Sequence, residues 1–235
     1  MEDLISNVLF TASVWALPVL IAITMHEAAH GYVANMLGDP TARLMGRVTL
    51  NPFAHIDRFG TIILPMLCLI SGWALAGTPF VFGYAKPVPV AMSRLNNPRR
   101  DMMLVAAAGP AINIVLAFLA AAMLHTVSWF PEWFAAWWQA TLINGILLNL
   151  VLAVFNLLPI PPLDGGRIVT GLLPYQLAVR YARLERYGLF IVIGLMFLLP
   201  FIGREIGIDL GYAMRLVMFG VKNLLHFILM LTGQL

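Results

Sequence analysis

The sequence predicts an all-α polytopic membrane protein, and three observations carry that prediction. Of its 235 residues, 61% are hydrophobic and only 11% are charged, with a mean hydropathy of +0.88. No soluble domain of this size could hide so much apolar surface. The apolar residues also fall in segments long enough to cross a hydrocarbon core of about 30 Å. A net charge of +3 is modest, so we expect the lipid bilayer as the environment and no nucleic-acid partner.

About five to six transmembrane segments are expected, and each can be justified from its apolar content. In chain order the apolar segments are 8–37, 59–78, 102–125, 140–159, 187–203 and 210–232. The first stops at Gly38-Asp39-Pro40, because glycine just past a helix and proline soon after both end helices. Residues 79–101 mix a glycine- and proline-rich strand pattern with charges.

The distribution of lysine and arginine orients the chain. Connections 38–58, 79–101 and 160–186 are basic, whereas 126–139 holds Glu132, four tryptophans and neither lysine nor arginine. The positive-inside rule therefore predicts that the basic connections face the cytoplasm. Segment 59–78 then has cytoplasmic connections on both sides. It either re-enters the membrane or is followed by a return through the membrane at 79–82, and the sequence leaves both possibilities open.

The motif His26-Glu27-Ala28-Ala29-His30 lies inside the first apolar segment. On a helix, positions i and i+4 share one face, so two imidazoles there can bind one zinc ion. Glu27 then lies close enough to polarise a water on that ion. The alternative is two histidines that satisfy their hydrogen bonds within a helix. Ionisable groups inside a spanning helix are costly unless they serve a site, which favours the metal interpretation.

A second motif closes the fourth apolar segment, where Asn156 is followed by three prolines at 159, 161 and 162 and then by Asp164-Gly165-Gly166. The prolines forbid a regular helix. Asp164 could be a third zinc ligand, leaving a fourth position to water as in catalytic zinc sites. It could equally be a helix N-cap.

Two further polar residues leave alternatives open. Asn113 belongs to the run Gly109-Pro110-Ala111-Ile112-Asn113, for which helix packing is the first interpretation; we also keep it as a candidate substrate contact. His55 could approach the site from its loop as a transient ligand or proton carrier, or it could cap a turn.

Taken in order, HEAAH at 26–30, GPAIN at 109–113 and NLLPIPPLDGG at 156–166 resemble the site-2 proteases, which are intramembrane zinc metalloproteases. The resemblance covers about 8–175. It implies one zinc held by His26, His30 and Asp164, with Glu27 as the general base. It also implies that Asn156 helps to hold the unwound substrate and that 82–90 form a small membrane-associated β-hairpin, which pairs with the substrate. Tyr84 in that hairpin is a candidate contact.

The resemblance is to the minimal bacterial form of the family, without peptide-binding or nucleotide-sensing domains. It implies one membrane-embedded unit over 1–235, with a catalytic core at 8–175 and C-terminal helices at 187–232. It also implies transmembrane protein substrates and a bacterial plasma membrane, with the active site toward the cytoplasm. A metal transporter and an inactive scaffold are the alternatives. The first predicts a second set of intramembrane ligands, and the second predicts a broken motif.

Overall fold

The computed structural model describes residues 2–63, 67 and 85–235, and within these ranges all of the regular secondary structure is helical. The prediction of an all-α architecture is therefore confirmed for the described residues. The α-helices are α1 (Glu2–Met36), α2 (Thr41–Leu44), α3 (Pro98–Met123), α4 (Glu132–Asn156), α5 (Asp164–Leu172), α6 (Tyr175–Ala182), α7 (Gly188–Ile193), α8 (Leu199–Glu205) and α9 (Tyr212–Leu231). A π-helical turn, Gly194–Leu198, joins α7 to α8.

Helix α1 ends where the sequence predicts. Gly38 has φ +104°, a left-handed conformation that glycine adopts without steric cost. The chain is then fixed by the N–H of Asp39, which donates to the Ala34 carbonyl at 2.9 Å. The buried Asp39 carboxylate in turn accepts from Thr41 and Ala91 backbone N–H groups at 3.0 and 2.5 Å. The end of α1 is thereby tied to the segment that precedes α3.

Helix α4 begins earlier than its apolar residues alone indicate. The sequence predicts a connection over 126–139, but the helix starts at Glu132 directly after Pro131. Proline at a helix start and an acidic residue in the first turn both favour this beginning. Trp133, Trp137 and Trp138 therefore lie in the first turns of the helix. These three tryptophans therefore belong to a helix and not to a loop.

Helices α1, α3 and α4 pack against one another, α5 packs on α3, and α9 packs mainly on α4. A buried apolar cluster connects α3, α4 and the C-terminal helices; its members include Ala117, Ala121, Ile146, Leu150, Val192, Met196, Val217, Val221 and Ile228. Helices α1, α3 and α4 thus form a three-helix bundle with polar side chains in its interior.

Five stretches of the described chain are long and apolar enough to cross a membrane, by length and composition: Leu9–Met36, Pro98–Trp129, Glu132–Asn156, Tyr175–Glu205 and Tyr212–Leu231. They correspond to five of the six predicted segments. The remaining segment, 59–78, falls largely outside the described residues; its start, Arg58–Ile63, forms a π-helical turn.

The structure does not support the predicted β-hairpin. No strand occurs in the described ranges, and 85–90 have no regular secondary structure. The N–H of Lys86 donates to the His55 carbonyl at 2.9 Å, and that of Val88 donates to the Glu27 side chain at 2.9 Å. Pro87 and Pro89 have no N–H to offer. The donors that a strand ladder needs are thus missing or directed elsewhere. Residues 82–84, including Tyr84, lie outside the described chain.

Candidate active site

The two histidines of α1 meet on one face of the helix, one turn apart. The Nε2 atoms of His26 and His30 are 3.1 Å apart, and their ring centroids are 4.7 Å apart. Both side chains are buried, at 8% and 7% exposure. Gly109 of α3 makes this possible: a Cβ there would lie 2.5 Å from His30 Nε2 and 2.6 Å from His26 Nε2. The absence of a side chain at Gly109 therefore lets α3 pack directly against both imidazoles.

Asp164 reaches the histidines from the first residue of α5. Its Oδ2 lies 3.2 Å from His26 Nε2 and 3.4 Å from His30 Nε2. The tight return from α4 depends on Gly165, where a Cβ would lie 2.2 Å from the Leu157 carbonyl oxygen. An ionised carboxylate is the form that binds a cation.

The hydrogen bonds of the other imidazole nitrogens decide which atoms face the centre of the site. His30 Nδ1 lies 2.7 Å from the Val105 carbonyl oxygen, and His26 Nδ1 lies 2.5 Å from Asn113 Oδ1. Because both oxygens only accept, each Nδ1 carries the proton and each Nε2 presents a lone pair. Two nitrogen lone pairs and a carboxylate oxygen therefore converge. These three atoms repel one another unless a cation lies between them.

The geometry of this donor set fits zinc. His26, His30 and Asp164 each offer one ligand atom, and the three atoms are separated by 3.1, 3.2 and 3.4 Å. Tetrahedral zinc with ligand bonds of about 2.0–2.1 Å requires ligand atoms about 3.3–3.4 Å apart. Asp164 Oδ2 is also buried with no hydrogen-bond donor among the described residues. Three protein ligands leave one position open, which is the arrangement of a catalytic zinc site.

Glu27 lies beside the ligands in a cavity of about 110 Å³. Its Oε2 accepts the Val88 N–H at 2.9 Å, which fixes the direction of the carboxylate. The cavity wall is formed by His26, Glu27, His30, Pro87, Val88, Val90, Asn156, Pro162, Asp164 and Arg167.

The remaining candidates from the sequence occupy different places. Asn156 lies in the cavity wall, and its Nδ2 donates to the Leu152 carbonyl at 3.0 Å. Asn113 is fully buried behind His26, on the side away from the cavity, which favours the packing interpretation over a substrate contact. His55 is buried with its Nε2 3.1 Å from the Thr49 carbonyl oxygen.

Three contributions to the site carry no signal that sequence reasoning could use. The Val105 carbonyl and the Val88 N–H are backbone groups, which every residue has. Arg167 lies one turn after Asp164 and stands out in the sequence only as one more basic residue. Its guanidinium lies 3.8 Å from Glu185, and both side chains are partly exposed.

Comparison with known proteins agrees with this geometry. The sequence profile of Peptidase family M50 matches residues 14–136 and 129–199. YwhC of Bacillus subtilis (strain 168) is 39% identical over 194 residues, covering 77% of this chain and 78% of that protein. Rip2 of Mycolicibacterium smegmatis is 30% identical over 177 residues, covering 75% of this chain and 64% of that protein. Both are named "putative zinc metalloprotease". No solved structure matches the chain.

The family match spans most of the chain, including the helices that carry the histidines, Asn113 and Asp164. The resemblance found in the three motifs is thereby confirmed. With its apolar helices, the chain is an integral membrane protein. It belongs to Peptidase family M50, the site-2 proteases, and is a zinc metalloprotease.

Proposed function

We propose that this metalloprotease hydrolyses peptide bonds of transmembrane protein substrates within or near the bilayer. In this proposal His26, His30 and Asp164 hold one zinc ion and Glu27 is the general base. One observation carries the proposal. Three buried ligand atoms lie 3.1–3.4 Å apart, and two of them belong to a helix apolar enough to cross a membrane. A carboxylate stands beside them in the same cavity.

Zinc at this position would supply a Lewis acid that polarises the scissile carbonyl and lowers the pKa of water. The protein's own groups supply the proton transfers. Glu27 takes a proton from the attacking water and later delivers it to the leaving amine. The N–H of Val88 holds the Glu27 carboxylate in place through one oxygen. The Nδ1 bonds of the two histidines keep their Nε2 lone pairs directed at the metal position.

The hydrogen bonding of a helix supports an extended substrate. A transmembrane helix holds its carbonyls in backbone hydrogen bonds, so it would unwind locally before a carbonyl reaches the site. Asn156 in the cavity wall offers an amide to the backbone groups freed by unwinding. Pro87, Val88 and Val90 also line the cavity and would lie beside the substrate.

The charge distribution supports a bacterial plasma-membrane enzyme with its site toward the cytoplasm. Basic residues are concentrated in the segments around the site: after α1, before and at the start of α3, and in α5 and α6. They are Arg43, Arg47, Lys86, Arg94, Arg99, Arg100, Arg167 and Arg180. The opposite end of the bundle holds the exposed Trp129 and Trp133 and the acidic Glu132. Basic residues at one end and an aromatic belt at the other are the pattern that the positive-inside rule describes.

The two alternatives are weaker. A metal transporter needs ligands along a path, and in the described ranges the single group of at least three close acidic, histidine or cysteine ligands is His26, His30 and Asp164. An inactive scaffold would lack an essential group, yet Glu27 and the three ligands are all present.

The proposal is tested by comparing membranes from cells that express the wild type or Glu27→Gln. The substitution keeps the size of the side chain and the three ligands but removes the base. Zinc content should persist, while cleavage falls by at least about 10²-fold, the lower end for loss of a general base. Proteomics should show one or more transmembrane proteins that accumulate uncleaved.

Glu132→Gln is the matched control, because it makes the same chemical change at an exposed position at the far end of α4. It should leave both zinc content and membrane proteome unchanged. Normal turnover by the Glu27→Gln variant would contradict the proposed mechanism and favour a transporter or scaffold.

A further inference from the structure

A chain of hydrogen bonds runs through the bundle from α4 to a histidine of α1. Asn149 Nδ2 donates to the Gly145 carbonyl at 2.8 Å, and Asn113 Nδ2 donates to Asn149 Oδ1 at 2.7 Å. His26 Nδ1 then lies 2.5 Å from Asn113 Oδ1. The three side chains are all buried, with exposures of 4% for Asn149, 0% for Asn113 and 8% for His26.

This chain can run in one direction only. The Gly145 carbonyl accepts and never donates, so Asn149 must direct its NH₂ group at it and its oxygen toward Asn113. Asn113 must then direct its NH₂ group at that oxygen and at the Ala22 carbonyl, 3.3 Å away. Its own oxygen is left facing His26. A backbone carbonyl of α4 therefore determines, through two amides, that the proton of His26 resides on Nδ1.

We propose that Asn149 is a positioning residue for the metal site, which holds Asn113, and through it His26, in the form that binds zinc. This inference rests on the proposed role of His26 as a ligand. An imidazole protonated at Nε2 has no lone pair to offer there, so the wrong tautomer must rearrange before it binds. Reversing the Asn149 amide would set two NH₂ groups and two oxygens against each other in a buried interior, which is unfavourable.

The two histidines differ in how they are held. His30 Nδ1 donates directly to the Val105 carbonyl, and no side chain is needed to fix its tautomer. His26 relies on side-chain amides, whose orientation is not fixed by covalent geometry. Asn149 is absent from the cavity wall, so it does not contact the substrate. Its influence on the reaction is therefore indirect, through Asn113.

A purely structural role predicts different behaviour. Amide side chains also join membrane helices, and such bonds contribute only modestly to stability. Asn144 on the same helix makes a bond of this kind: its Nδ2 donates to the Val14 carbonyl of α1 at 3.4 Å, far from any zinc ligand along α1. Asn144→Leu is therefore a matched control for Asn149→Leu, since both replace a helix-joining amide of α4 by a side chain of similar volume.

The experiment measures the zinc dissociation constant of the purified full-length protein in detergent, by competition with a chelator. Asn149→Leu should weaken zinc binding by about 10- to 100-fold, the usual cost of losing an outer-shell partner of a metal ligand. Asn144→Leu should change it by less than about threefold. Asn149→Asp should retain zinc affinity, because a buried protonated carboxyl donates to the Gly145 carbonyl and still accepts from Asn113.

Two additional measurements make the test decisive. In a double-mutant cycle, Asn149→Leu should add nothing to the loss caused by Asn113→Leu, because both act through one bond. Nitrogen-15 NMR of histidine-labelled, metal-free wild type should show His26 protonated at Nδ1, a measurement that holds even if the leucine variant fails to fold.

Unchanged zinc affinity in a folded Asn149→Leu variant would overturn the inference, as would an equal loss in Asn144→Leu or protonation of His26 at Nε2. None of these readouts depends on proteolysis. If His26 did not bind zinc at all, His26→Ala would leave the zinc affinity unchanged, and the proposed function would fail independently of Asn149.

Discussion

The bundle of α1, α3 and α4 and the C-terminal helices α6–α9 have similar apolar character, but they differ in the polarity of the side chains that they bury. The candidate spans of the bundle have mean hydropathies of 1.7–2.2, against 1.9 and 1.5 for the two C-terminal spans. Yet the bundle helices bury Thr24, His26, His30, Asn113, Thr141 and Asn149. In the described chain, no polar or charged residue after Asp164 is buried.

Mean hydropathy therefore does not distinguish the two regions, but the burial of polar groups does. Polar side chains inside a membrane-spanning bundle are costly and are kept where they serve a site. The C-terminal helices expose large apolar side chains, among them Phe190 and Phe219, and bury only apolar ones. The site therefore lies where the bundle meets α5, which carries Asp164. A change in or beside the bundle can be paired with the same kind of change in the C-terminal region.

The largest difference is expected for histidine. The double substitution His26→Ala/His30→Ala removes two of the three ligands, so zinc content should fall from about one ion per chain to background and proteolysis should cease. His226→Ala, at an exposed position of α9, should leave both unchanged. Metal analysis of the purified proteins gives the answer. Full zinc retention in the double variant would remove these histidines from the metal site.

The next difference concerns glycine. In Gly109→Ala the new methyl group would lie 2.5 Å from His30 Nε2, so the imidazoles must move and zinc affinity should fall by at least about tenfold. In Gly194→Ala the methyl group meets no atom within 4 Å. That variant should bind zinc normally and be more stable by about 0.5–1 kcal/mol, the usual gain for alanine over glycine in a helix. Chelator competition and thermal unfolding measure the two effects; equal zinc affinity in both variants would contradict the packing argument.

A smaller difference is expected for leucine. Leu150 is fully buried between helices, whereas Leu198 is 55% exposed. Leu150→Ala leaves a cavity and should lower the free energy of unfolding by about 2–5 kcal/mol. Leu198→Ala removes few contacts and should change it by about 0.5 kcal/mol or less. Unfolding in mild detergent compares the two. A larger effect for Leu198→Ala would mean that the C-terminal face is covered in the functional protein.

The smallest difference is expected for aspartate. Burial opposes ionisation of Asp39, but hydrogen bonds from Thr41 and Ala91 hold the pKa of its carboxyl below its usual value. A folded-state pKa below the unfolded value of about 3.9 gives stability that is present above about pH 4. It is lost as the pH falls through the folded-state pKa. Asp39→Asn should cost about 1 kcal/mol at neutral pH and reduce this acid sensitivity.

Asp209→Asn provides the comparison for Asp39. Asp209 pairs with Arg215 beside α9, with both side chains largely exposed. An exposed ion pair is screened by water and salt, so its loss should change stability less than the loss of Asp39. Unfolding curves from pH 3 to pH 7 test both variants. An identical pH dependence in Asp39→Asn and the wild type would exclude Asp39 as a source of the acid sensitivity.

The sequence predicted those parts of the fold that depend on local patterns. Five apolar segments became five helices of sufficient length to span a membrane, because apolar length is itself the requirement for crossing. The absence of strand pairing at 85–90 could not be read from composition. It depends on where particular N–H groups find partners: Val88 donates to a side chain of α1, not to a neighbouring strand.

The sequence alone determined the class of protein, the family and the residue types that can bind zinc, because these follow from apolar length and from short motifs with fixed spacing. Only the tertiary structure decided which atoms converge. It set Asp164 within 3.2 Å of a histidine 138 positions earlier. It also placed Gly109 against both imidazoles and joined Asn149 to His26 through Asn113. Such contacts depend on how helices distant in sequence pack, and no local pattern records the direction in which a buried amide must point.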